Sequence, residues 1–150
     1  MRKIFISLCL LLAAACGSDN PTGPVAPPSL TGSWTMTFTM AGEITLSYPG
    51  EPVFRYPVSC TGPVPVAITD TDGTLTGAFQ VGTIICNVDG DVQQVDWSGP
   101  LSGKRTNKSV TFSDGLCTYT GNNLTSGTAV CVDTATYYLF TMDGTWKLLP

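Results

Sequence analysis

The chain of 150 residues contains no histidine, and only 12 % of it is Asp, Glu, Lys or Arg. Histidine is the commonest general base near neutral pH and the commonest metal ligand. Its absence excludes Ser-His-Asp triads, Cys-His proteases and ordinary catalytic zinc sites. Positive charge is scarce too: seven Lys and Arg stand against eleven Asp and Glu, a formal net charge of -4. A nucleic-acid partner needs a basic footprint, which this composition does not supply. One apolar run stands out, Ile4 to Ala15. As a helix its twelve residues span about 18 Å, short of a ~30 Å hydrocarbon core, so it is not a transmembrane span. The length fits one domain.

What is present begins at the N-terminus. Arg2 and Lys3 precede the apolar run, which closes on small residues, the layout of a secretory signal peptide over residues 1–15. The junction Leu11-Leu12-Ala13-Ala14-Ala15-Cys16 followed by Gly17-Ser18 resembles the lipobox of bacterial lipoproteins, with Ala13 where that family favours Leu. The resemblance implies cleavage before Cys16, fatty acylation (palmitate or a similar chain) of that cysteine and attachment to a membrane. Gly17 rather than Asp after the cysteine implies the outer membrane in a bacterium that has two. Several acyl chains together anchor stably, at about 0.8 kcal/mol per buried CH2. Loss of Arg2 and Lys3 leaves five basic and eleven acidic residues, a mature net charge of -6. Residues 16–31 read as the lipidated cysteine and a linker. Pro21, Pro24, Pro27 and Pro28 keep the linker extended, at about 3 Å per residue, for a reach of roughly 40 Å.

Residues 32–150 are rich in Thr, Val, Gly and aromatics. In Gly32 to Met40, Trp34, Met36, Phe38 and Met40 alternate with Ser33, Thr35, Thr37 and Thr39, which predicts a half-buried strand. Ala41-Gly42 reads as a tight turn, after which Ile44, Leu46 and Tyr48 resume the alternation. Pro49-Gly50-Glu51-Pro52 breaks it, and Val53 to Ser59 reads as a ragged piece before a strand through Val64, Val66 and Ile68. Asp72-Gly73 and Asp89-Gly90 are hairpin turns. Further alternation marks Leu75 to Val81, Val95 to Leu101, Val110 to Phe112, Thr128 to Val132 and Thr136 to Leu149. About eight short antiparallel strands with local connections and no helix predict an all-β domain. An eight-stranded up-and-down barrel is preferred, because closure removes exposed edges; a Greek-key sandwich is the alternative.

Leu30-Thr31-Gly32-Ser33-Trp34-Thr35 resembles the Gly-x-Trp opening of lipocalins and the Leu-Thr-Gly-x-Trp-Thr opening of avidins. Both families are eight-stranded barrels whose cups hold small ligands. The lipocalin resemblance implies that Trp34 plugs the barrel floor near a basic residue of the last strand, for which Lys147 is the counterpart. Met36 stands where avidins carry an asparagine that contacts biotin, so that ligand is not implied.

Of six cysteines, Cys9 leaves with the signal and Cys16 carries the lipid, so Cys60, Cys86, Cys117 and Cys131 remain for disulfides in an exported protein. Three connectivities are open. The near-symmetric placement of Cys60 and Cys86 about Asp72-Gly73, and of Cys117 and Cys131 about the Gly121 to Gly127 loop, favours bridging within each hairpin. A metal site is not expected, with no CxxC spacing and no histidine. Asp70-Thr71-Asp72-Gly73 and Asn87 to Asp91 lack the glycine and glutamate positions of a calcium loop and read as turns. Asp89, Asp91 and Asp96 read as solvated charge, not a glycosidase pair.

The inward face offers Trp34, Met36, Phe38, Trp97, Tyr138, Phe140 and Trp146 as lining for a small apolar ligand, or as a filled core. The expectation is therefore a non-enzymatic, membrane-anchored envelope barrel without cofactor. It either binds a small apolar ligand or serves as a structural or interaction module. The alternative is a barrel that binds protein through its loops, as barrel-shaped protease inhibitors do. Thiol titration of the denatured, unreduced mature domain checks the cysteine assignment: no reactive thiol is expected from Cys60, Cys86, Cys117 or Cys131, and four would exclude disulfides.

Overall fold

The computed structural model describes residues 28–150; the expected signal peptide, Cys16 and most of the expected linker lie outside the described residues. Eight antiparallel strands follow one another around a closed up-and-down barrel: β1 (Gly32–Leu46), β2 (Phe54–Thr71), β3 (Thr74–Val88), β4 (Asp91–Arg105), β5 (Val110–Ser113), β6 (Cys117–Gly121), β7 (Ser126–Ala135) and β8 (Tyr138–Leu149). β8 returns to β1 with Leu149 opposite Thr35 and Tyr138 opposite Leu46, so the ring closes. This is the architecture expected from the alternating sequence, and no helix occurs among the described residues.

Inward side chains fill the barrel. Met36, Phe38 and Met40 of β1, Val64, Val66 and Ile68 of β2, and Leu75, Phe79 and Ile84 of β3 are all buried. Rings pack in a chain across the interior: Phe79 on Tyr119 at 5.8 Å, Tyr119 on Phe112 at 5.2 Å and Phe112 on Trp146 at 5.0 Å. Burial of each such side chain stabilises by about 1.5–3 kcal/mol, and the aromatic pairs add a further ~1 kcal/mol each.

Several assignments differ from the sequence expectation. Ala41-Gly42 is not a turn; β1 runs through it, because Gly42 lets β8 approach so closely that a Cβ would lie 1.8 Å from the Thr141 carbonyl oxygen. Val53 to Ser59 belongs largely to the single eighteen-residue strand β2, despite Pro57, Pro63 and Pro65. Proline cannot donate to a ladder, and the β2 to β3 register breaks between Thr61 and Val66, where Pro63 and Pro65 lie. On the facing strand Val81 bulges outward, 75 % exposed. Thr136 and Tyr137 form the turn before β8, whereas β6, Cys117–Gly121, is a strand the alternation did not mark out.

The hairpin turns form as expected. Asp72 and Gly73 have φ of 52° and 87°, and Asp89 and Gly90 have 51° and 96°, the left-handed pair that suits the twist of two flanking strands. Gly42→Ala should lower stability by about 3 kcal/mol in denaturant unfolding, since the seam between β1 and β8 must open to admit the methyl group. A neutral result would remove the close-approach explanation of this glycine.

Candidate functional site

The seven side chains expected to line a cup do not converge on one space. Met36, Phe38 and Trp146 are core residues, with the Trp146 indole Nε1 donating to the Thr128 carbonyl at 2.9 Å. Trp97 is half-buried beside Phe38, with ring centroids 5.9 Å apart. Trp34 sits at the floor, donating from Nε1 to the Leu30 carbonyl at 2.8 Å. Phe140 and Tyr138 are half-buried towards the opposite end. Their bulk fills the barrel instead of leaving a cup between them. Of the surface depressions, one of about 310 Å³ over Thr37, Thr61 and Thr145 touches only Phe38 and Trp146 of the seven, and one of about 450 Å³ beneath the floor by Asp70, Arg105 and Asn107 touches none.

Towards the far end the core is capped by sulfur. Cys60 bridges Cys86 directly across β2 and β3, and Cys117 bridges Cys131 across β6 and β7, so each disulfide joins its own hairpin. Met40 lies opposite Cys60, Met142 lies opposite Cys131, and the Met40 and Cys131 sulfurs are 3.6 Å apart. All six residues are buried. The bridges thus cap the core as well as restrict the unfolded chain, to which each contributes on the order of 3 kcal/mol.

The floor depends on one carboxylate. Asp70 at the end of β2 accepts from the Leu30 amide at 3.0 Å, the Gly73 amide at 3.1 Å and the Arg105 Nε. Its carboxyl and the Arg105 guanidinium are almost wholly buried. This pair fastens Leu30, itself 2 % exposed, against the core as a plug. The cation at the floor is therefore Arg105 of β4, whereas Lys147, the counterpart suggested by the lipocalin resemblance, is exposed on the outer face. Nothing in the sequence marked Asp70 and Arg105 as partners, because they stand 35 residues apart and meet only when β2, β3 and β4 assemble.

A second, partly buried polar contact stabilises the β5 to β6 turn. Asp114 accepts from the amides of Leu116 and Cys117 and from the Tyr119 hydroxyl at 3.0 Å. Burial, reinforced by the Asp114 carboxylate, pushes the Tyr119 phenol far above its ordinary range. It remains protonated and donates to Asp114.

The far end is different. β5 and β6 are four and five residues long, and β4 pairs with β5 only from Ser102 to Arg105, β6 with β7 only from Thr128 to Cys131. Beyond these ladders the wall is an open sheet in the order β4, β3, β2, β1, β8, β7. Its concave face carries Ile44, Val95, Trp97 and Phe140, none of them fully buried. At the tips the rings of Tyr48 and Tyr137 pack at a tilt with centroids 5.5 Å apart, both exposed. Compared with protein-family models, with curated proteins and with solved structures, the chain matches none of them.

Burial raises the Asp70 carboxyl, but the Arg105 guanidinium and the amides of Leu30 and Gly73 outweigh it and hold it below its ordinary value of 3.8. The stability it contributes is complete above that ordinary value and is lost as pH falls through the lower folded-state value. Asp70→Asn should cost about 3–5 kcal/mol at neutral pH, because Arg105 is left buried without its partner. Denaturant titrations at neutral pH and down to strongly acidic pH check both: the variant should lose the part of the acid sensitivity that Asp70 supplies.

Proposed function

We propose that the protein is a non-enzymatic, lipid-anchored envelope module that presents the far end of its barrel to a protein partner. One observation carries this most: the interior is filled from the Leu30 plug to the sulfur layer, while apolar side chains stay exposed at the end opposite to Leu30. A small-ligand carrier needs an enclosed apolar cavity of about 300 Å³ or more. Here the bulk of Phe38, Phe112, Tyr119 and Trp146 occupies that volume.

The lipobox-like junction at Cys16 supports the anchor. A linker from Cys16 reaches the barrel at Leu30, on the floor side, so a membrane-tethered barrel can turn its β1–β2, β3–β4 and β7–β8 tips away from the bilayer. That places Tyr48 and Tyr137 where a partner in the surrounding compartment can meet them. Exposed apolar surface of this kind marks interaction sites.

Three measurements test the proposal. Radiolabelled palmitate should enter the wild-type chain in a bacterial host and not Cys16→Ser, which should move to the soluble fraction; label in the variant would overturn the anchor. Photo-crosslinking residues placed at Tyr137 and at Asn122 in intact cells should yield a discrete protein adduct only from Tyr137, the far-end position. Native mass spectrometry showing a stoichiometric small apolar molecule, with no adduct, would favour a carrier instead.

A further inference from the structure

The deepest asymmetry of the barrel lies in its backbone. On one side β4 is bonded to β3 along its length, from Thr74 opposite Lys104 to Val88 opposite Asp91. On the other side it meets β5 only from Ser102 onwards. The outer edge of Asp91 to Leu101 has no strand partner, and Pro100 has no amide to offer, so the free ladder runs from Asp91 to Gly99. Across the gap, β7 beyond Cys131 has no β6 partner, apart from the Val132 amide bonded to the Leu116 carbonyl at 3.2 Å. Lower down, two strands fill this gap; above them it is open.

Such an edge is a template for another strand. We propose that the gap between β4 and β7 receives an extended, basic segment of a partner protein, which adds to β4 as a further strand. This rests on the reading of the far end as an interaction surface and names the partner's chemistry. Three features agree. The backbone groups of Asp91 to Gly99 supply the ladder. Val95, 37 % exposed, with half-buried Trp97 and Phe140, supplies apolar contacts for alternate side chains of the incoming strand.

Charge selects the occupant. Asp89, Asp91 and Asp96 lie along the β4 side of the gap, Asp114 at its base and Asp133 on its β7 side. Among the described residues Lys104, Arg105, Lys108 and Lys147 are all in the floor half, and Arg55, at the far end, is paired with Glu43. A second copy pairing β4 with β4 would lay two acidic edges side by side, with no Lys or Arg between Asp91 and Gly99 of either chain to offset them, and like charges repel. A strand flanked by Lys or Arg meets the opposite charge.

A ten-residue synthetic peptide of alternating Val and Thr with two Lys at each end is the probe, with its Glu-ended counterpart as control. The Lys peptide should bind at least ~10-fold more tightly at low salt, with the difference shrinking as ionic strength rises. It should slow hydrogen exchange of amides within Asp91 to Gly99. Alternate N-methylation in at least one of the two phases should abolish binding. Asp91→Lys with Asp96→Lys, both exposed positions, should reverse the preference while leaving the unfolding transition in place. Equal binding of the two peptides, binding without protection of β4, or a peptide-free dimer that already protects these amides would overturn the proposal. If these results come with a persistent Tyr137 adduct in cells, edge pairing alone is lost and the interaction role stands; without the adduct both fall.

Discussion

Two strands of four and five residues must close a ring whose other members run from ten to eighteen. That inequality governs the molecule. Where β5 and β6 are present, backbone groups are paired all the way round and the interior is sealed. Beyond them the six longer strands continue as an open curved sheet, and two of them acquire edges. The sequence expectation held that closure removes edges; here closure removes them from one half only.

The closed half is secured at both ends by different physics. At the floor, a buried carboxylate gathers two amides and a guanidinium and fixes the residue that plugs the barrel. An ion pair of this kind contributes little net stability over an apolar replacement, but breaking it is costly. Its role is to hold the chain where a linker meets the domain. At the other end, disulfides and methionines form a layer that tolerates irregular packing, because thioether and disulfide sulfurs are polarizable and unbranched. The two bridges lie on β2–β3 and β6–β7, so they secure the hairpins on both sides of the gap and leave β4 free along its outer edge.

Most of the architecture was legible in the sequence. Period-two alternation from Trp34 to Met40 and from Tyr138 to Leu148 marks inward and outward faces directly, and the Asp-Gly pairs fix two turns through their left-handed conformation. Symmetric cysteine spacing about Asp72-Gly73 and about the Gly121 to Gly127 loop was sufficient to favour the observed bridges over the two other connectivities. The failures have local causes. Gly42 resembles a turn residue when read alone, yet its role is to admit a neighbouring backbone that the sequence does not display. Val53 to Ser59 reads as ragged on its own, yet it continues into β2, whose Pro63 and Pro65 fall where the ladder with β3 is interrupted. β6 is too short for Cys117, Tyr119 and Gly121 to register as alternation. The floor pair and the open edge were illegible, since both are relations between strands distant in sequence.

This division also orders the proposed roles along the axis of the barrel. The lipid-anchor reading and the plug belong to one end, the filled core to the middle, and unpaired backbone, exposed apolar groups and acidic charge to the other. Residue-resolved hydrogen exchange on the peptide-free protein tests the central claim of one-sided closure most directly. From Asp91 to Gly99 protection should alternate, with amides bonded to β3 slow and those facing the gap fast, while the interior strand from Ile84 to Val88 stays protected throughout. Uniform slow exchange along β4 would mean that its edge is already covered and would contradict the account.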